Sequence, residues 1–152
     1  MKIFTTLAIV HVLSFALYAQ EDRAEALVNS KEKADMTYYE MMQNMNQSAS
    51  KVYDGIILEN KIMVQDGAEE IMNHRAPNHK PWLIMPKSKQ EAFKAMLLIY
   101  DEELHEAAED IIDALKKDDW IHVNNAFATM TQSCIVCHSA WKNEVIQRNF
   151  NK

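Results

Sequence analysis

Only two glycines and three prolines punctuate the 152 residues of this chain, and only two cysteines are present. So little turn-forming material excludes the many short strands and tight corners of a sandwich or barrel. A single cysteine pair, three positions apart, excludes a disulfide framework as the organising device. A chain of this length suits one domain and buries an ordinary core without such staples. Basic clusters are missing too: 16 Lys and Arg stand against 22 Asp and Glu, a formal net charge of −6. Phosphate backbones need such clusters, so the composition argues against nucleic acid as a partner. The acidity reads as a solvated surface, which could also steer the chain toward a basic protein. No alternating strand pattern, repeat, phosphate-binding loop or Ser–His–Asp grouping is found, and the carboxylates show no pairing for acid–base work. The chain therefore does not read as an enzyme. What it has in quantity is Ala, Met, Leu, Glu and Lys, a helical composition.

Residues 1–19 differ from the rest. Lys2 is their only charge, and an apolar run from Ile3 to Tyr18 precedes the charged stretch Glu21-Asp22-Arg23. A basic start, an apolar centre and a small residue at the cut describe an export signal. We place the cut after Ala19, so residues 1–19 are the expected signal peptide and 20–152 the mature domain, exported to the periplasm. An uncleaved membrane anchor is the rival reading, because the run approaches bilayer-spanning length. Its shortness and polar interruptions favour cleavage.

Four helices are expected. The first covers about Lys31 to Asp54, with a start as early as Arg23. Tyr38, Met42, Met45, Ala49, Val52 and Ile56 alternate steps of four and three, which makes one apolar stripe, and Gly55 is the expected break. The second covers about Glu59 to Asn73. All three prolines then fall in a loop from His74 to Lys87, whose Trp82-Leu83-Ile84-Met85 should fold over an apolar surface. The third covers about Lys89 to Lys116, with Ser88 and Glu91 as a capping box. The fourth starts at Asp118 or Asp119 and carries Val123, Phe127, Met130, Cys134, Cys137 and Trp141. Amphipathic helices with mostly short connections predict an all-α, antiparallel four-helix bundle.

Both cysteines sit in Cys134-Ile-Val-Cys137-His138. A thioredoxin-like site wants a strand–helix context, and a structural zinc site wants four protein ligands; neither requirement is met. Covalent haem attachment fits. Two thiols one helical turn apart reach two vinyl groups of one haem, and the next residue supplies an imidazole to its iron. The exported context agrees, and a plain disulfide is the alternative.

With this motif on its last helix the chain resembles the class II c-type cytochromes, the cytochrome c′ family. Cys134, Cys137 and His138 match the family's attachment motif, and Trp141-Lys142 matches the aromatic–basic pair that follows it. Phe93-Lys94 and the Asp119 helix start are looser likenesses, and the whole covers about residues 31–145. The resemblance implies a monohaem protein with one covalent haem c on the last helix of the bundle. Trp141 and Lys142 then pack on the haem. It also implies a choice at the distal iron face. A methionine ligand from the first helix would make a one-electron carrier for redox partner proteins. An apolar blocking residue would make a five-coordinate binder of nitric oxide or carbon monoxide. Met42 is the expected distal ligand, since it lies on the apolar stripe thirteen residues before Gly55; Met41 and Met45 stand behind it. Tyr38 occupies the position, one turn before Met42, where many members carry arginine. Members often pair through their first two helices, so the resemblance admits a homodimer. Of the remaining histidines, His74 and His79 are expected in solvent beside the proline loop and His105 as a partly exposed helix residue. His122 is a further residue able to ligate or carry a proton. Asp101-Glu102-Glu103 is expected to be a solvated face.

Overall fold

The computed structural model describes residues 23–145, and helices dominate them. The expected signal peptide and its cut after Ala19 lie outside the described residues. Among those described, no helix is long and apolar enough to cross a membrane. Helix α1 covers 23–30. A two-residue strand β1 (Lys33–Ala34) follows, then α2 (Tyr38–Ile57), α3 (Lys61–Met72), a second short strand β2 (Ala76–Pro77), α4 (Gln90–Lys116) and α5 (Trp120–Trp141). The strands pair in parallel, Lys33 with Ala76 and Ala34 with Pro77, and tie the chain ahead of α2 to the proline loop.

The expected first helix is thus two helices, and the reason is a cap. Thr37 takes an extended backbone, its hydroxyl accepts from the Glu40 N–H at 3.1 Å, and the Glu40 carboxylate accepts from the Thr37 N–H at 2.7 Å. This reciprocal pair satisfies donors that a helix start leaves open. The apolar stripe itself begins at Tyr38, the first residue of α2, and the earlier start expected near Lys31 is not found. At its other end α2 does not stop at Gly55 but continues to Ile57. The corner is made by Glu59 at φ 48°, and the α4–α5 corner by Asp118 at φ 58°. A glycine-poor chain here places ordinary residues in the left-handed region, which costs backbone energy.

The two glycines serve close approach. A Cβ on Gly55 would sit 2.7 Å from Val64 Cγ2 and 2.8 Å from the Val64 backbone nitrogen. One on Gly67 would sit 2.7 Å from Val52 Cγ2 and 2.8 Å from the Ser48 carbonyl oxygen. Helices α2 and α3 therefore meet almost backbone to backbone. Buried Ser48 donates to Glu70 at 2.9 Å across that seam.

Asn60 caps α3 and Asp119 caps α5, their side chains accepting from the N–H groups of Met63 and His122. The cap expected at Ser88 does not form. Pro86 leads into a 3₁₀ turn over Lys87–Lys89, Lys89 takes the cap position without a side-chain bond, and Gln90 Nε2 donates instead to the Met85 carbonyl at 3.1 Å.

Helix α2 packs on α3, α3 on α4, α4 on α5, and α5 back on α2. Val52, Val64, Ala68, Ile71, Ala108, Ile111, Val123 and Met130 fill the space between them. Fully burying each larger side chain contributes roughly 1.5–3 kcal/mol. A second apolar cluster joins Val28 of α1, Trp82, Ile84 and Met85 of the proline loop, and Phe93 of α4. The loop thus folds over an apolar surface as expected, with Leu83 left outside. Lys94 is buried in this layer; its ammonium lies 5.0 Å from the Trp82 ring centre and 2.8 Å from Glu91.

Gly67→Ala should test the α2–α3 crossing. Its methyl meets the stiff β-branched side chain of Val52 and the backbone of Ser48 and Val52, so stability should fall by about 1–3 kcal/mol. In urea the unfolding midpoint should drop with the slope unchanged. A variant as stable as the parent would mean that the helices separate freely there.

Candidate functional site

The last turns of α5 are anchored from beneath by Met130 and Ser133, both buried; the Ser133 hydroxyl donates to Glu103 of α4 at 2.8 Å. That contact fixes which way the helix is rolled. One turn on, Cys137, His138 and Trp141 follow at helical spacing and face a cavity of about 440 Å³ shared with α2. From α2 come Tyr38, Met42, Gln43 and Asn46, and from the loop and the start of α4 come Ile84, Met85 and Phe93. This size falls within the range of roughly 300–1,000 Å³ common for small-molecule and cofactor sites.

Aromatic contacts set the cavity's shape. Phe93 meets the Trp141 ring edge-on, centroids 5.5 Å apart at 70°, and meets Tyr38 at 6.3 Å and 77°. The Trp141 indole nitrogen is buried and has no hydrogen-bond partner among the described residues. A buried donor without an acceptor is costly, and it marks a place where a polar atom of a bound molecule would be stabilised.

Of the residues singled out in the sequence, Cys137, His138, Trp141, Lys142 and Met42 all line this one cavity. Cys134 is not on its wall but lies one turn earlier, half-buried; both thiols are free. Met41 is buried in the protein, and Met45 packs against the inter-helix core. Among the three candidate methionines Met42 is therefore the one on the cavity wall. Tyr38 does occupy the wall, and among the described lining residues Lys142 is the one cation. Gln43, Asn46, Ile84 and Met85 were not singled out as site residues. Gln43 and Asn46 follow Met42 and Tyr39 around the helix, and helical spacing could have found them once Met42 was chosen. Nothing local in the sequence marks the two loop residues.

The electrostatics suit neutral ligands. Partial burial, and then the charge of Lys142, holds the His138 imidazole below its ordinary pKa, so the ring offers an unprotonated nitrogen at neutral pH. Burial, and then Cys134, pushes the Cys137 thiol up to about 11. Burial likewise raises Cys134. Tyr38 is raised by burial, then by Cys137 and Asp101, so its hydroxyl stays a donor.

Away from the cavity, two expectations are corrected. His74 and Asp101 are not solvated: each side chain is nearly buried, and His74 Nε2 lies 3.0 Å from Asp101 Oδ1. His79 is half-buried as well. Folding the loop back on α4 covers them, which spacing along one helix could not foretell. His105 is partly exposed as expected, and exposed His122 pairs with Asp110 at 2.8 Å. Compared with family models, curated proteins and solved structures, the chain has no match.

Cys137 offers a direct check on the cavity in protein without a covalent group. Its alkylation by a neutral reagent should stay slow at pH 8 and climb until pH about 11, well past the range of a free thiol near 8.5. Folding stability should also fall over that span, because the folded thiol keeps its proton where the unfolded one has lost it. Cys137→Ser should flatten that part of the profile. A full reaction rate by pH 9 would show an open thiol.

Proposed function

We propose that this chain is an exported, periplasmic monohaem c-type cytochrome of the class II kind, acting as a one-electron carrier between redox proteins rather than as an enzyme. In this reading α2 to α5 form an antiparallel four-helix bundle with the haem on α5. One observation carries it: a single cavity brings together Cys137 and His138 of α5 with Met42 of α2.

The donor set fits haem c. Cys134 and Cys137 would hold the haem through two thioethers, and the His138 nitrogen and Met42 sulfur would ligate its iron. Trp141 adds a buried donor and Lys142 a cation, both suited to carboxylate groups. When bound, the haem would supply one-electron ferric/ferrous chemistry, and ligation by His138 and Met42 would favour its reduced form. The protein's own contribution is exclusion and positioning. Ile84, Met85, Phe93 and Trp141 give the cavity an apolar side, which disfavours extra positive charge beside it. The Ser133–Glu103 contact holds the roll of α5, and hence the bearing of His138. Lowered basicity keeps that imidazole free to ligate.

Full-length protein made in a haem-attaching host should carry one covalent haem, lost in Cys134→Ser/Cys137→Ser. Its ferric spectrum should be low-spin, with a near-infrared methionine-to-iron band that Met42→Ala abolishes, and the ferrous form should ignore carbon monoxide. A high-spin spectrum that shifts under the gas would replace the carrier with the five-coordinate gas binder. No covalent haem at all would end the cytochrome reading.

A further inference from the structure

A second group of ligating side chains lies outside the cavity. His74, at the end of α3, meets Asp101 and His105, one turn apart on α4. One donor atom from each can be chosen so that all three lie within 4.8 Å of one another. Asp101 Oδ1 lies 3.0 Å from His74 Nε2, Asp101 Oδ2 lies 3.8 Å from His105 Nδ1, and the imidazole centroids are 5.7 Å apart. The side chains of His74 and Asp101 are 13% and 14% exposed, and that of His105 29%. They form a largely covered polar cluster rather than an exposed surface patch.

The cluster already holds a positive charge. Lys31, from the turn between α1 and β1, places Nζ 3.3 Å from Asp101 Oδ1 and 3.0 Å from His105 Nε2. An ammonium on a flexible stem, seated among two imidazoles and a carboxylate, occupies the ground a metal ion would use. Its side chain is itself 13% exposed, but its flexible four-carbon stem can swing the ammonium out to water when a more highly charged ion takes its place.

We infer that His74, Asp101 and His105 form a second metal site, distinct from the haem cavity, that takes a divalent ion of the zinc class in exchange for Lys31. Two imidazoles and one carboxylate are the donor types such ions select, and calcium or magnesium would want more oxygens. Three protein donors leave a fourth position for water. A tetrahedral ion bound at about 2.0–2.1 Å holds its donors about 3.3 Å apart. The widest pair therefore closes by at most about 1.5 Å, within reach of side-chain rotation alone. Loss of the Lys31 ion pair is offset by the ion's greater charge against Asp101. An ion here ties the α3–β2 connection to α4 and stiffens the proline loop, and nothing in the inference requires haem.

Zinc titration of the full-length protein by calorimetry, with thermal unfolding alongside, tests this. The Cys134→Ser/Cys137→Ser variant removes the competing thiolates of the Cys-x-x-Cys-His segment. That variant should still bind one zinc ion and unfold at higher temperature with it. His74→Gln or His105→Gln added to it should weaken binding by about 100-fold or more and cancel the thermal shift, while circular dichroism stays unchanged. Lys31→Met should tighten binding. The site is refuted if the cysteine variant takes up no zinc, or if zinc binds equally well after both histidine changes. Weaker binding in Lys31→Met would refute the exchange.

Discussion

The edge-on contact of Phe93 with both Trp141 and Tyr38 is the interaction on which the candidate site depends. It joins one residue from each of α4, α5 and α2, the three helices that surround the cavity. Each such aromatic pair contributes about 0.5–1.5 kcal/mol beyond its burial, and its geometry resists sliding. The loop residues Trp82, Ile84 and Met85 close over the same cluster. With it in place, the end of α5 cannot roll without breaking aromatic contacts, so Cys137, His138 and Met42 stay on a common wall.

Behind that cluster the frame is rigid for a different reason. At Gly55 and Gly67, α2 and α3 approach until no side chain fits between them. The shortage of glycine elsewhere has a cost, met at the corners. Glu59 and Asp118 take the left-handed backbone that glycine would adopt freely. Side-chain caps at Thr37, Asn60 and Asp119 offset part of it by satisfying open N–H groups.

Charge is distributed unevenly between surface and interior. Most acidic residues are solvated, but Asp101 is drawn in by Lys31 and His74. Burial alone would raise its pKa, yet the His74 hydrogen bond and the Lys31 charge bring it below the usual carboxylate range. It acts as the fixed anion of a small, largely covered polar cluster with Lys31, His74 and His105. The redox centre proposed for the cavity and the ion site proposed for this cluster would thus be separate features of one frame.

Periodicity in the sequence alone determined that α3, α4 and α5 are helices, near their observed ends, and that the cysteines and His138 lie on the last of them. Both are local properties, set by residue spacing and by caps such as Asp119. The α1–α2 boundary was legible too, in the capping pair Thr37 and Glu40 and in the apolar stripe, which begins only at Tyr38. Gly55 misled because glycine marks a turn and a close helix crossing equally well. Only tertiary structure decided which of three neighbouring methionines faces the cavity. Met41, Met42 and Met45 differ by fractions of a helical turn, and packing against α3 and α5 sets the roll of α2. Only tertiary structure, likewise, brought His74 to Asp101, because that meeting requires the end of α3 to pack against α4. Local spacing specifies which residues share a helix face; where that face points is decided by what packs against it.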